Sequence, residues 1–583
     1  MIEDILLQIR KPAQYIGEEW NSPRKDFDKS NIKFLLSFPD LYEIGMSNLG
    51  LRILYSVLNA IKDVACERVF AVDKDMEELL RSKNRQISSL ESARPIRAFD
   101  IIGFSLGYEL TYTNVLNILD LGGIPLRASD RDNSYPLVIG GGPCTMNPEP
   151  LCDFFDLFVI GEAEEVIIEI VDVCRRFKDK FGKAGIDKQD LLFAFSQIEG
   201  VYVPSLYEAV YNEGRLEKFT PRAKGVPPVV KKRFIKDLNS AHFPLDWLVP
   251  YIQIVHDRIG LELMRGCPNH CRFCQARQQY SPLRYRDIEQ VLDLAQQLYK
   301  RTGYEEISLG GLSVSDYPGI EELIKRMTGL FKEKGISIAL PSVKPRNMLG
   351  NLSSLIAATK KTGLTFAPEA GSQKLRDILG KDFNLDEFFK ALEQAYSNGY
   401  QHVKLYFMIG LPGEEAADLD AIVDFATKVS ELKRAISKSP AQVNISINWL
   451  IPKPHTAFQW LGMGDLEMIK EKQEYIRKKL KNRRLKLSFH NKYMSFLEAV
   501  FSRGDRRLAG VVYSAFKKGA RFDSWSSFFL FERWQACFDE AGINPLVYLR
   551  PKPAEQLLPW DFLDTGVNKS RLWDEFKKVV DIK

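Results

Sequence analysis

Apolar residues in the first third of the chain gather into short, nearly unbroken runs. Each is trailed by a loop and then by apolar positions three and four apart. Lys33-Phe-Leu-Leu-Ser-Phe38 stops at Pro39-Asp40 and leads, through a loop, into the periodic stretch from Leu49 to Leu58. Phe99 to Leu106, Tyr135 to Pro143 and Phe155 to Glu164 repeat the pattern. Runs of this kind suit buried strands, and the helical spacing behind them suits covering helices. Strand and helix in alternation predict a parallel, doubly wound α/β sheet, with any ligand held at the carboxyl ends of its strands. Residues 1–180 form this first domain.

The texture changes over residues 181–250. Tyr- and Val-rich pieces, Gly200-Val-Tyr-Val-Pro204 and Tyr207 to Leu216 with an Asn-Glu-Gly turn inside it, read as a small β connector. Pro227-Pro-Val-Val-Lys-Lys-Arg233 reads as linker. Between 251 and 480 six strand-like runs alternate with helical stretches: Gly260–Met264, Glu306–Gly311, Ile336–Ser342, Gly363–Glu369, His402–Gly410 and Val443–Trp449. Six such pairs predict a partial (β/α)6 TIM barrel, whose chemistry collects at the carboxyl ends of its strands. Residues 481–583, rich in Trp and Phe, complete the chain as an α-rich C-terminal region.

Directly after the first barrel strand comes Gly266-Cys-Pro-Asn-His-Cys-Arg-Phe-Cys274. Its C-x3-C-x2-C spacing lets the thiolates of Cys267, Cys271 and Cys274 hold three corners of an iron–sulfur cube and leaves the fourth iron to another ligand. Electron carriers normally occupy all four irons with protein ligands, so an open iron argues for catalysis. Zinc is an alternative, with His270 as fourth ligand, although structural zinc sites usually pair two ligand clusters and no second C-x-x-C occurs. A disulfide is another, set against eight cysteines in 583 residues, a sparse usage that describes a reducing compartment. The remaining cysteines, Cys66, Cys144, Cys152, Cys174 and Cys537, stand singly and read as buried thiols.

Charge changes this picture little. Lys and Arg number 81 against 76 Asp and Glu, a net charge of +5 that demands no nucleic-acid partner. The basic run Arg477 to Lys486 reads first as a solvated helix face, with an RNA backbone as the alternative. No apolar run approaches the roughly 20 residues of a membrane span, and Met1-Ile-Glu-Asp4 opens acidic, unlike a secretory signal. The expected location is cytoplasmic, with no membrane partner.

The cysteine run, with Phe273 before its last member, resembles the signature of the radical S-adenosylmethionine (SAM) superfamily. The resemblance implies a 4Fe-4S cluster whose open iron is chelated by the methionine end of SAM. The strand ends carry counterparts: Gly310-Gly311, followed by Leu312 where the family often has an acid; Ser342, Lys344 and Arg346 as partners of the SAM carboxylate; Glu369 for a ribose hydroxyl; Gly410 in the loop beside adenine. The N-terminal domain resembles the Rossmann-like cobalamin-binding module that precedes the radical core in many such enzymes. The family's D-x-H-x-x-G appears as Asp40-Leu-Tyr-Glu-Ile-Gly45, with Tyr42 in place of the axial histidine, and Ser105, Gly140 and Gly141 loosely match the other cofactor-facing elements.

With Met46-Ser-Asn-Leu-Gly50, Thr365 to Ser372 and Pro452-Lys-Pro-His-Thr456 included, nearly the whole chain looks like bacterial radical SAM proteins with an N-terminal B12-binding-like domain. That resemblance implies reductive cleavage of SAM to a 5′-deoxyadenosyl radical, and hydrogen abstraction from a substrate it does not name. It also implies a reductant such as a flavodoxin or ferredoxin. Were cobalamin held, methyl transfer would follow. An RNA-modifying radical enzyme and a non-catalytic iron–sulfur protein are the alternatives.

Overall fold

The computed structural model describes residues 3–339 and 364–580. The chain folds into two compact units. One comprises residues 1–257, 500–548 and 555–566, the other 258–499, 549–554 and 567–583. Residues after 500 are thus shared between the units.

In the first unit β1 (Ile32–Phe38), β2 (Val64–Phe70), β3 (Ile101–Ser105), β4 (Leu137–Gly141), β5 (Leu157–Val159) and β6 (Val201–Tyr202) form one sheet in the order β2-β1-β3-β4-β5-β6. All neighbours are parallel except β5 and β6. The order reverses at β1, so the crevice between the carboxyl ends of β1 and β3 is the topological switch point. Strand β2 escapes the apolar-run reading because Glu67 and Arg68 interrupt it. Both are buried, and Arg68 forms ion pairs at 2.6 Å with Glu19 and with Glu91. The hairpin β7 (Tyr207–Asn212) and β8 (Arg215–Pro221) turns through Glu213 and Gly214, both at positive φ. Strand β9 (Val230–Lys231) pairs with Leu563–Asp564 near the end of the chain.

In the second unit β10 (Ile259–Glu262) delivers the chain to β11 (Met264–Arg265), which pairs antiparallel with β12 (Arg284–Tyr285). Two parallel sheets follow: β10 with β13 (Glu306–Gly310) and β14 (Ser337–Ala339), then β15 (Leu364–Glu369), β16 (His402–Ile409), β17 (Gln442–Trp449) and β18 (Leu485–Phe489) in sequence order. Six of these seven strands answer the six sequence runs. The seventh, β18, is hidden by the basic run, which closes the helix Leu466–Lys479 and continues into the strand. Along that run Arg477 lies 4.8 Å from the Phe489 ring centroid and Lys479 pairs with Asp420 at 3.0 Å. Phe388, Phe407 and Phe425 lead the core between β15–β18 and their helices. No described helix is long and apolar enough to cross a membrane.

Candidate functional site

Strands β11 and β12 close the neck of a loop that carries all three clustered cysteines. Gly266 makes the entry possible. Its φ is +85°, and a Cβ there would lie 2.8 Å from the Leu283 Cα and 2.9 Å from the Pro282 carbonyl oxygen, both backbone atoms. The far side of the loop is bound to the helix Gln373–Leu379. The Arg272 amide donates to the Leu379 carbonyl at 2.9 Å, and its guanidinium donates to the carbonyls of Asp377 and Ile378 and to Glu575. Gly380, at φ +63°, sits under the His270 carbonyl, 2.9 Å from where a Cβ would stand. The His270 ring faces Arg277, with Nδ1 2.7 Å from the guanidinium, and burial together with that cation holds its pKa down.

The cysteine side chains are partly exposed. Burial pushes the Cys271 thiol up to about 11 against the opposing pull of Lys381, and it also raises Cys274. Thiols in such surroundings are proton-bound unless a cation takes the proton's place. Among the described residues no three His, Cys, Asp or Glu converge on a single metal ion. Three thiols that each bind a separate iron need no such convergence, so the donor set suits a cube held at three corners.

Two of the strand-end residues, Gly311 and Glu369, stand beside this loop. Gly310 lends its carbonyl to the Leu263 amide at 2.9 Å, and a Cβ on Gly311 would lie 2.6 Å from Met264 Cγ. Glu369 ends β15 at φ +69°, burial raises its pKa, and Lys381 reaches its Oε1 at 3.3 Å. The turn after it is locked by Arg376, fully buried, which donates to the carbonyls of Ala370 and Gly371, both at 3.0 Å. Gly410, at φ +79°, donates its amide to Glu414, whose buried carboxylate also pairs with Lys472 at 2.5 Å. Ser342, Lys344 and Arg346 lie outside the described residues.

In the first unit the β1 end is occupied by the chain itself. Asp40 is buried, which raises its pKa, and its Oδ1 accepts from the Trp525 indole at 3.0 Å while Oδ2 accepts from Ser524 at 3.3 Å. Tyr42 turns into the fold and donates to Glu19 at 2.8 Å. A Cβ on Gly45 would lie 2.2 Å from the Phe70 ring, and one on Gly140 2.8 Å from the Phe158 ring, so both glycines serve internal packing. Ser105 is partly exposed at the end of β3, and beyond Gly141 nothing lies within 4 Å of a Cβ position.

The family described as "Radical SAM proteins, N-terminal" matches residues 50–204, and "Radical SAM superfamily" matches residues 261–426, the stretch that holds the cysteine loop. The chain belongs to the radical SAM superfamily. An uncharacterized protein of Methanocaldococcus jannaschii is 29% identical over 81% of this radical SAM chain and 88% of its own length. An uncharacterized methyltransferase of Pyrococcus horikoshii is 21% identical over 56% of this chain and 68% of its own. The solved structure of the radical SAM methyltransferase TsrM from Kitasatospora setae, with cobalamin and a [4Fe-4S] cluster bound, superposes with a TM-score of 0.50. It is 13% identical and covers 88% of this chain and 99% of that one, a likeness of fold. Membership makes this radical SAM chain an enzyme whose cofactors are a 4Fe-4S cluster and SAM.

Sequence reasoning missed Lys381, Arg272 and Asn269. Lys381 follows Gly380 at the end of a helix, an ordinary place for a lysine, and only the fold brings its ammonium to Glu369 and toward Cys271. Asn269 lies within the cysteine spacing, where no pattern singles it out.

Proposed function

We propose that Cys267, Cys271 and Cys274 ligate three irons of the cluster and that SAM lies across the carboxyl ends of β13, β15 and β16. When bound, cluster and SAM supply reductive cleavage of the sulfonium and a 5′-deoxyadenosyl radical that takes hydrogen from a substrate carbon. The chain's share is placement. Gly310 and Gly311 keep the β13 end free of side-chain bulk, Glu369 with Lys381 offers a paired acid and cation to the polar ends of SAM, and the Glu414-braced Gly410 turn lines the adenine side. Ser342, Lys344 and Arg346 complete the carboxylate side of this proposal. The single observation that carries the ligand assignment is the cysteine loop, closed at its neck by β11 and β12 and clamped by Arg272. Anaerobic reconstitution with iron and sulfide, then dithionite and SAM, tests it. Wild type should form 5′-deoxyadenosine and the triple alanine variant of the cysteines should not; equal iron content and equal SAM turnover in both would end the assignment.

A second element of the proposal is cobalamin at the strand ends of the first unit. It is favoured by the open space beyond Gly141 and the partly exposed Ser105 at the end of β3. Tyr42 and Asp40 are engaged elsewhere, so neither supplies cobalt with an axial ligand in this arrangement. Purification with hydroxocobalamin should leave a corrin absorption band; its absence from cluster-loaded protein restricts the unit to scaffolding. The electron would come from a flavodoxin or ferredoxin, in the cytoplasm. An RNA substrate is the weaker reading. The tRNA-2-methylthio-N(6)-dimethylallyladenosine synthase of Carboxydothermus hydrogenoformans is 24% identical over only 30% of this chain and 41% of its own length.

A further inference from the structure

Asn269 stands between the first and second clustered cysteines, and its side chain turns back onto one of them. Its Nδ2 lies 3.2 Å from Cys267 Sγ, 3.3 Å from Ser313 Oγ and 3.3 Å from Asp316 Oδ2. All three neighbours are acceptors here, because the Ser313 hydroxyl spends its own hydrogen on Asp316 at 2.6 Å. That settles the orientation of the amide: its nitrogen, not its oxygen, must face the sulfur. Ser313 and Asp316 belong to the turn that follows Gly310-Gly311. The turn after β13 thus supplies acceptors that hold the Asn269 amide with its nitrogen toward the sulfur.

We infer that Asn269 is a positioning residue that donates a hydrogen bond to the Cys267 thiolate and thereby raises the reduction potential of the cluster. The inference rests on the ligand assignment proposed above. A one-electron reduction adds negative charge that is shared with the ligating sulfurs. An N–H aimed at one of them stabilises the reduced form more than the oxidised form. The amide carries two hydrogens, and an iron-bound thiolate, at 3.2 Å the nearest of the acceptors described, takes one of them.

The test is an EPR-monitored redox titration of anaerobically reconstituted wild type, Asn269→Ala and Asn269→Ser. Alanine removes the donor and serine keeps a shorter one. Asn269→Ala should have a more negative potential, a roughly tenfold harder reduction or about 59 mV for one electron, with Asn269→Ser between it and wild type. Equal potentials in all three overturn the inference. So does failure of both variants to load a cluster, which would assign Asn269 to loop folding instead. Loss of the cluster from Asn269→Ala alone, with a lowered potential in Asn269→Ser, supports it. A wild type that binds no cluster would sink the ligand assignment itself, a result distinct from any of these.

Discussion

Asp523 offers a quantitative test of the packing that fills the β1 end of the first unit. Its carboxylate is fully buried, and burial raises its pKa from the ordinary 3.8 to about 6. Two neutral donors oppose that rise, the Trp534 indole at 3.3 Å on Oδ1 and the Thr113 hydroxyl at 3.2 Å on Oδ2. A carboxyl whose folded pKa is raised binds its proton more tightly folded than unfolded. Stability is therefore undiminished below about 3.8, falls as pH rises toward about 6, and stays low above it. A shift of that size corresponds to about 3 kcal/mol at neutral pH, as an upper bound.

Asp523→Asn removes the charge and keeps the shape. The amide oxygen can accept from Trp534, and the amide nitrogen can donate to Thr113, whose hydroxyl rotates to accept. The variant should be more stable than wild type at pH 7 by up to about 3 kcal/mol, and the two should converge near pH 4. Hydrogen exchange of peptides covering Tyr112–Leu121 and Phe531–Glu540 reads this locally, at pH values from 4.5 to 7.5 chosen for roughly even spacing. An Asn variant no more stable than wild type at pH 7, with the same pH slope, would refute the reasoning.

Other substitutions probe the cysteine loop. Gly266→Ala forces a left-handed backbone on a residue with a Cβ, about 1–2 kcal/mol, and drives that Cβ into the Pro282–Leu283 backbone; iron content after reconstitution should fall sharply. Arg272→Ala cuts three side-chain hydrogen bonds that hold the loop to Asp377, Ile378 and Glu575. Its cluster should be lost faster on exposure to a chelator, by roughly tenfold for about 1.4 kcal/mol, measured as decay of the visible absorption. Glu369→Gln leaves Lys381 without its anion. Isothermal titration of the reconstituted variant should show SAM affinity lowered about tenfold, and unchanged affinity would remove Glu369 from the proposed SAM contacts.

Local pattern carried a good share of this protein. Buried parallel strands need apolar runs, so β1, β3, β4 and β5 and six of the later strands stand out in the text of the chain. The cysteine spacing reports a loop geometry that is itself local. What stayed hidden was set by partners far apart in sequence. Strand β2 contains Glu67 and Arg68, which a strand tolerates in its interior because Glu19 and Glu91 arrive to pair with Arg68. Strand β18 is masked by cations whose aromatic and acidic neighbours, Phe489 and Asp420, only the fold supplies.

The same division runs through the sites. Chain order and spacing alone determined the fold class, the place of the cysteines behind a strand, and the residue types at each strand end, because these depend on neighbours a few positions away. Tertiary structure decided what those residues touch. Asp40 meets Trp525 across 485 positions, Tyr42 faces Glu19 rather than a cofactor, and Asn269 gains Ser313 and Asp316 from the turn after another strand. A side chain's partners are chosen by which elements the topology packs together. That choice follows from burial summed over a whole unit and leaves no mark on the residues next to it.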